Sequence, residues 1–512
     1  MMNLQNNKIQ TAFNLVTGLV TTVVAFAVSF FLSPFIVKHL GAEANGFSQL
    51  ATNFVMYASL VTVAFNSMGA RFVSVSYHQG EIEKSRGYYS TLCVLNVLMI
   101  ALFLPLAIYV VWDLPNLIVI ENAEVLDVKL LFACVFLNFF ISLVVSLFTI
   151  AMVVTNSVYY RNLLNAISTI LNAILLLVVF SVFPVKIFYI SLVGASLSLV
   201  LLPIYMHLHH KLLPEIHFIR GYFSWKSVKD LFLSGIWNTV NQCGHMLNTG
   251  LDLLFANLFV NPFMMGVLAV SKTMPSAIIQ LASTVNTNFA PSIIQTWAKA
   301  DRDQILRELR VSMKISSVVV SIPIITFCCF GYEFYSLWQP TLDAQTLTYL
   351  SFLALLPFIP VAGTQTLYNV FTASNKLKVN SISFVINGIL NVLIVYFCLK
   401  KWPQYGVFFI AGVSAILSLI RQVVVILPYV AHILKLPWYA FFRDVFVTLI
   451  CCAINIIAAL PFLLMFKIPG WGGLIIMCVV TVLISLVADA YILLSKEERE
   501  KIVSALLFRQ NK

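Results

Sequence analysis

The chain has 512 residues, of which 60% are hydrophobic and only 10% charged, with a formal net charge of +11. A water-soluble protein of this size carries about 25% charged residues, and here apolar runs long enough to span a bilayer recur from end to end. This excludes a soluble enzyme and reads as an all-α polytopic membrane protein; the basic residues are scattered over loops and tail without a cluster, which excludes nucleic acid as a partner.

In chain order, the first apolar run, Ile9 to Val37, is too long for the core of a signal peptide and is followed by no small-x-small cleavage site. It reads as a retained span. Fourteen spans are predicted, at approximately 11–37, 47–68, 88–112, 128–153, 162–182, 186–208, 230–258, 263–294, 311–332, 346–371, 380–399, 405–430, 444–466 and 470–494. An even number puts both termini on one side. With that side cytoplasmic, the inner segments hold 23 Lys and Arg and the outer segments 6 (Lys38, Lys129, Lys186, Lys400, Lys401 and Lys467). The positive-inside rule therefore makes both termini cytoplasmic and sets the basic face beside anionic lipid.

The outer loops are short, the longest being "DLPNLIVIENAEVLD". No extramembrane domain is left to hold a substrate with its acid and base. No paired carboxylates, Ser-His-Asp arrangement or phosphate-binding glycine loop occurs. The nine cysteines lie in apolar runs without metal-ligand spacing and read as small core residues. The expectation is a non-enzyme with no metal and no cofactor, whose work is done between helices.

The span at 230–258 carries the segment "NTVNQCGHMLNTGLD". At about 100° per residue, Asn238, Asn241, Gln242, His245, Asn248, Thr249 and Asp252 fall within an arc of roughly 120°. Such a stripe faces protein or water rather than lipid. Amides both donate and accept, which suits sugar hydroxyls; the alternative is hydrogen bonding between helices. His245 is either a proton-sensitive group or a structural donor. Gln49 and Asn53 on the second span, Asn286 and Asn288 on the eighth, and Gln365 and Asn369 on the tenth are candidates to extend the same lining. Pro357 and Pro360 are expected to kink the tenth span.

Four charged residues lie well inside spans: Asp252, Lys272, Arg421 and Asp489. Asp252 and Lys272 sit on neighbouring spans, 9 and 11 residues from Asn261, so their heights differ by only ~3 Å on straight helices. Either the pair pins two helices or it lines a cavity in which Lys272 meets a pyrophosphate or an acidic sugar. Arg421 either snorkels to the cytoplasmic surface or meets an entering phosphate. Asp489 is expected near the inner end of the last span, hydrated or paired with the basic tail. That tail, "SKEEREKIVSALLFRQNK", reads as a surface amphipathic helix.

Internal repeats point to transporter architecture. "RNLLNAISTILNAIL" from Arg161 aligns with "KLKVNSISFVINGIL" from Lys376, pairing Asn165 with Asn380 and Asn172 with Asn387. These asparagines read as glue between helices. A second register, offset by 220, pairs Gly46 with Gly266 and Tyr77 with Trp297. Six spans separate the copies, so the repeat is parallel. The segments expected are a six-helix lobe at 1–208, a cytoplasmic linker at 209–229, a second six-helix lobe at 230–431, an added helix pair at 432–494 and the tail at 495–512.

"SPFIVKHLGAEANGFSQLA" at 33–51 and "RFVSVSYHQGEIEKSR" at 71–86 resemble the first-loop and first cytoplasmic-loop patterns of polysaccharide flippases. With six-plus-six spans and an extra pair, the whole chain resembles the multidrug/oligosaccharidyl-lipid/polysaccharide (MOP) exporter superfamily, in its O-antigen (Wzx-type) branch. The resemblance implies two parallel six-helix lobes around a V-shaped central cavity. It also implies translocation of an undecaprenyl-pyrophosphate-linked oligosaccharide from the cytoplasmic to the outer leaflet of the bacterial inner membrane. The partners implied are that lipid-linked oligosaccharide, membrane lipid, and a polysaccharide polymerase or glycosyltransferases of the same pathway. A coupling ion, H+ or Na+, would be the only further ligand. Residues 11–37 and 47–68 contain no charge, unlike the arginine-rich first spans of lipid II flippases and the acidic first span of many drug exporters. The alternatives are a cation-coupled multidrug exporter of the same superfamily and a non-transporting scaffold of a polysaccharide assembly complex.

Overall fold

A computed structural model describes residues 4–299, 302–464 and 470–493. All regular structure among them is helical. Eleven helices are long and apolar enough to cross a membrane, or twelve counting the bent pair Ala344–Phe358 and Ala362–Ala373. Their surfaces keep large apolar side chains outward, including Phe31, Trp112, Val200 and Phe397. A helix apolar on all sides belongs in lipid, and the chain is a multi-pass membrane protein. The tail at 495–512 lies outside the described residues.

The chain divides into two compact units, Met1–Ala269 and Val270–Lys512. The first begins with α1 (Leu4–His78), which is two helices meeting at Gly41 (φ 83°, ψ 165°). A continuous helix of that length would run roughly 110 Å, far beyond a ~30 Å hydrocarbon core. Glycine supplies the positive φ at the break without a Cβ penalty. Then follow α2 (Ile82–Trp112), α3 (Leu114–Leu117), α4 (Val125–Val154), α5 (Tyr159–Val182), α6 (Tyr189–Leu212) and α7 (Trp225–His245). A π turn (Met246–Gly250), α8 (Asp252–Phe259) and α9 (Pro262–Ser271) complete the unit.

Polar side chains are spent on joining helices. The first arm of α1 is laced to the start of α5: Asn14 Nδ2 donates to the Asn156 carbonyl at 2.8 Å, and Tyr159 N donates to Asn14 Oδ1 at 2.7 Å. Buried Asp127 on α4 accepts from the backbone N–H groups of Ile187 and Phe188 at 2.8 and 3.0 Å. That carboxylate sits where the α6 dipole is positive. The segment 118–124 is pinned twice. The Asn257 carboxamide takes Val119 N–H (2.8 Å) and gives to Val119 C=O (2.9 Å), while Asn122 Nδ2 donates to buried Glu43 at 3.1 Å.

The second unit contains α10 (Thr273–Ala298), α11 (Arg302–Trp338), α12 (Ala344–Leu355), α13 (Tyr368–Ala373), α14 (Leu377–Lys401) and α15 (Gly406–Arg421). A second π turn (Gln422–Ile426), α16 (Leu427–Ile433), α17 (Phe442–Leu464) and α18 (Gly470–Leu493) follow. Between α12 and α13 the axis bends by 50° at a short break that holds Pro360, with Pro357 in the turn just before it, the kink those prolines predict. Its freed backbone is met from α11, where Ser316 Oγ donates to the Ala362 carbonyl at 2.8 Å.

Candidate functional site

The polar segment 238–252 is not one straight helix. α7 ends at His245, and the i→i+5 turn of 246–250 intervenes before α8. Up to His245, Asn241 and His245 are exposed, and Asn238 and Gln242 half-buried. Beyond it the wider turn changes the bearing of every later side chain. The exposed residue of the turn is Thr249, whose hydroxyl lies 3.2 Å from His245 Nδ1 and donates to the His245 carbonyl at 3.0 Å. Asn248 and Asp252 are turned inward, at 1% and 3% exposure. Asn248 donates to the Gly244 carbonyl of its own helix at 2.7 Å. The single-face geometry expected for all seven residues is thus corrected: Asn241, His245 and Thr249 share the exposed face, and Asn248 and Asp252 do not.

The π turn is received by the second arm of α1. Asn53 Nδ2 (3.0 Å) and Tyr57 Oη (2.7 Å) both donate to the Gly250 carbonyl. A Cβ on Gly250 would overlap the Met56 side chain. Asp252 stands close enough to interact electrostatically with Tyr57. Further along, Asn238 Nδ2 donates to Ser67 Oγ at 3.1 Å, and Gln49 Nε2 donates to the Ala269 carbonyl at 3.3 Å. Asn53 therefore reaches the segment, but through a backbone oxygen, whereas Gln49 bonds α9. Tyr57 was not singled out from sequence, since a tyrosine in an apolar run carries no signal of its own. Asn66 and Asn96 form a reciprocal amide pair, 3.0 Å in each direction, on the second arm of α1 and α2.

Lys272, half-buried, stands at a second break, between α9 and α10. The carbonyl of Ser271 there accepts from Ser351 Oγ at 2.7 Å and Tyr335 Oη at 3.3 Å. Asp252 belongs to the first unit and Lys272 to the second. Each of the two residues borders an interrupted helix with a carbonyl that takes two side-chain donors. Irregular backbone at membrane depth is tolerated only where it is buried in protein or lines an aqueous cavity.

The remaining candidates lie in the second unit. Asn286 accepts through its carbonyl from Asn369 Nδ2 at 3.0 Å, and Asn288 is exposed. Gln365 is half-buried in the bent segment. Arg421 is held by α14: its Nη2 donates to Asn380 Oδ1 at 2.6 Å and to the Asn380 carbonyl at 3.2 Å, and its Nε donates to Ser383 Oγ at 3.2 Å. Its guanidinium stacks 4.6 Å from the Phe384 ring. The matching asparagine of the first register, Asn165, accepts from Tyr205 Oη at 3.3 Å. Asp489 is fully buried and bonded to Asn455 at 3.2 Å, midway along α17. That corrects its expected hydrated position, because an asparagine within the apolar stretch of α17 receives the carboxyl group between the two helices.

No family model matches the chain. It is 27% identical to the "Uncharacterized membrane protein EpsK" of Bacillus subtilis (strain 168), over 95% of this chain and 97% of that one. Among solved structures it is similar to the lipid II flippase MurJ in an inward closed conformation, with a TM-score of 0.66 at 13% identity over 93% of this chain and 98% of that one. It is also similar to a MATE transporter in complex with MaL6, with a TM-score of 0.57 at 11% identity over 84% and 97% of the two chains. The chain has the fold shared by MurJ and the MATE transporters of the MOP superfamily.

Proposed function

We propose that the protein is a flippase that moves an undecaprenyl-pyrophosphate-linked oligosaccharide, an O-antigen or similar surface-polysaccharide repeat unit, from the cytoplasmic to the outer leaflet by alternating access. The observation that carries the reading is the exposed Asn241–His245–Thr249 face on a helix at membrane depth. A face of amide, imidazole and hydroxyl is expensive against hydrocarbon and matched to sugar hydroxyls. The two helix breaks beside Asp252 and Lys272 support it, because interrupted helices in transporters mark the substrate region. The fold shared with MurJ supports a lipid-linked cargo, and a non-enzymatic role agrees with it.

In this reading fourteen spans form two parallel six-helix lobes and an added pair, with both termini in the cytoplasm. The 63-residue apolar helix broken at Gly41 supplies two of the spans, and α7 with α8 supplies another. The parallel repeat is supported by contact between its counterparts: Gly46 abuts Gly266, and Gln49 bonds Ala269, both at the offset of 220. Asn238, Asn241, Gln242, His245 and Lys272 line the substrate path.

The test is sidedness. In cells carrying Asn241→Leu with His245→Leu, lipid-linked oligosaccharide should accumulate in the cytoplasmic leaflet while the protein stays in the membrane. Normal surface glycan in that variant would favour a scaffold.

A further inference from the structure

The last two helices meet through polar groups that nothing in the transport path uses. Asp489 on α18 is 0% exposed. Its Oδ2 accepts from Asn455 Nδ2 on α17 at 3.2 Å. Its Oδ1 and the Asn455 Oδ1 are both buried and without a hydrogen-bond partner. One and two turns along α18, Ser485 and Thr481 are buried at 0% and 1%, and their hydroxyls are also unpartnered.

Two of these unpartnered atoms belong to planar groups already joined by one hydrogen bond. Both atoms are acceptors, so neither can satisfy the other. One proton on Asp489 Oδ1 changes that. A carboxylic acid and an amide each offer one donor and one acceptor, and together they close a ring of two hydrogen bonds. The first of these, Asn455 to Asp489, is present; a proton on Oδ1 supplies the donor for the second.

The surroundings favour the neutral acid. The titratable neighbours of Asp489 are the thiols of Cys451 and Cys452 on α17, of which Cys451 stands close enough to be a weak S–H donor to the carboxyl group. α18 packs against α11 and α17. On α11, Arg310 and Lys314 act on Asp444, and Glu333 acts on Cys329 and Cys478. Among the described residues no cation pairs with Asp489. A buried carboxylate without a counter-charge neutralises itself. A metal cation is poorly served, because the Thr481–Ser485–Asp489 column spreads its oxygens along roughly 12 Å of helix.

We propose that Asp489 and Asn455 form a proton-binding site between the last two helices. The proton comes from water, forms the Asp489 Oδ1–H bond, and leaves when the helices part enough for water to reach the carboxylate. Resting on the transport reading, this site is where a proton gradient acts on the flippase.

The test is infrared difference spectroscopy on the full-length protein in lipid nanodiscs at neutral pH. Wild type minus Asp489→Asn should show a protonated-carboxyl C=O band that moves down in D2O. Asn455→Leu should move that band up, because the acid loses its acceptor. If Asp489→Asn does not fold, Asp489→Glu should displace the band instead. Carboxylate bands at this position, or a signal that responds to sodium rather than to pH, would overturn the proposal. The band reads the proton whether or not the chain moves glycolipid, so the two readings fail separately. In proteoliposomes, flipping by Asp489→Asn should be indifferent to an imposed pH gradient. Wild-type flipping that is equally indifferent would remove the coupling role.

Discussion

Gly46 and Gly266, 220 residues apart, touch backbone to backbone. A Cβ on Gly46 would lie 2.9 Å from the Gly266 Cα, and one on Gly266 would overlap the Ala42 carbonyl. The neighbouring bond from Gln49 to the Ala269 carbonyl repeats the same offset. Only glycine permits two helices to approach so closely here, as small residues do at membrane helix interfaces.

The contact predicts that Gly266→Ala lowers stability by about 1–3 kcal/mol, the usual cost of overpacking. Gly412→Ala is the control, because its Cβ would meet nothing nearer than Leu353 at 4.0 Å. Thermal unfolding of the purified variants in one detergent measures both. Equal melting temperatures would contradict the close approach.

The Gly250 carbonyl has two side-chain donors, so removing one should be mild. Tyr57→Phe is expected to cost about 0.5–1.5 kcal/mol. Adding Asn53→Leu should cost more than the sum of the singles, because the second loss strips the remaining side-chain donor from that carbonyl. Denaturation of the two singles and the double variant gives the coupling directly.

The bearing change at the π turn is open to thiol chemistry. In a cysteine-free background, Asn241→Cys, His245→Cys and Thr249→Cys should react quickly with a small hydrophilic maleimide. Asn248→Cys and Asp252→Cys should react at least tenfold more slowly. Comparable rates at positions 245, 248 and 252 would restore a straight helix with one face.

The outer-side assignment of the loop at 118–124 is tested by Asn122→Cys, which should be labelled in intact cells by a membrane-impermeant reagent. Asp303→Cys should be labelled only after permeabilisation. The opposite pattern would reverse the orientation and the direction of transport.

Asp343 caps α12, its carboxylate accepting from Thr346 N–H at 2.9 Å and from the Thr346 hydroxyl. Those bonds hold its pKa below the usual aspartate range, the side-chain bond first. A depressed folded pKa means that the cap stabilises above the unfolded value and is lost as pH falls through the folded one. Asp343→Ala should cost about 0.5–1 kcal/mol at neutral pH, low in the range for an exposed cap. The difference from wild type should vanish in acid, read as converging melting temperatures.

Hydropathy was enough to read the class, because a bilayer admits so few structures. Asn238, Asn241, Gln242 and His245 stood out because amides and imidazole inside an apolar run have no lipid-facing use. Asn248 and Asp252 were misplaced on the stripe because a five-residue turn has no composition of its own; "MLNTG" fits an α-helix equally well. Arg421 was ambiguous for a different reason. Its holder, Asn380, sits 41 residues away, and sequence alone registers the repeat but not the bond. The Asn455–Asp489 pair was invisible until α17 and α18 were laid side by side.

The π turn at Met246–Gly250 also has a bearing on how this segment tolerates changes in length. An i→i+5 turn holds one residue more than an α-helical turn needs, so it is in effect a single-residue insertion. Deleting one residue from 246–250 would let the hydrogen-bond ladder close as an α-helix with no gap. The helix after it would keep its place, because the residue removed is the one the turn absorbs, and Asp252 would stay buried. The deletion should therefore be well folded, whereas deleting one residue within α7 would rotate the residues after it by about 100°.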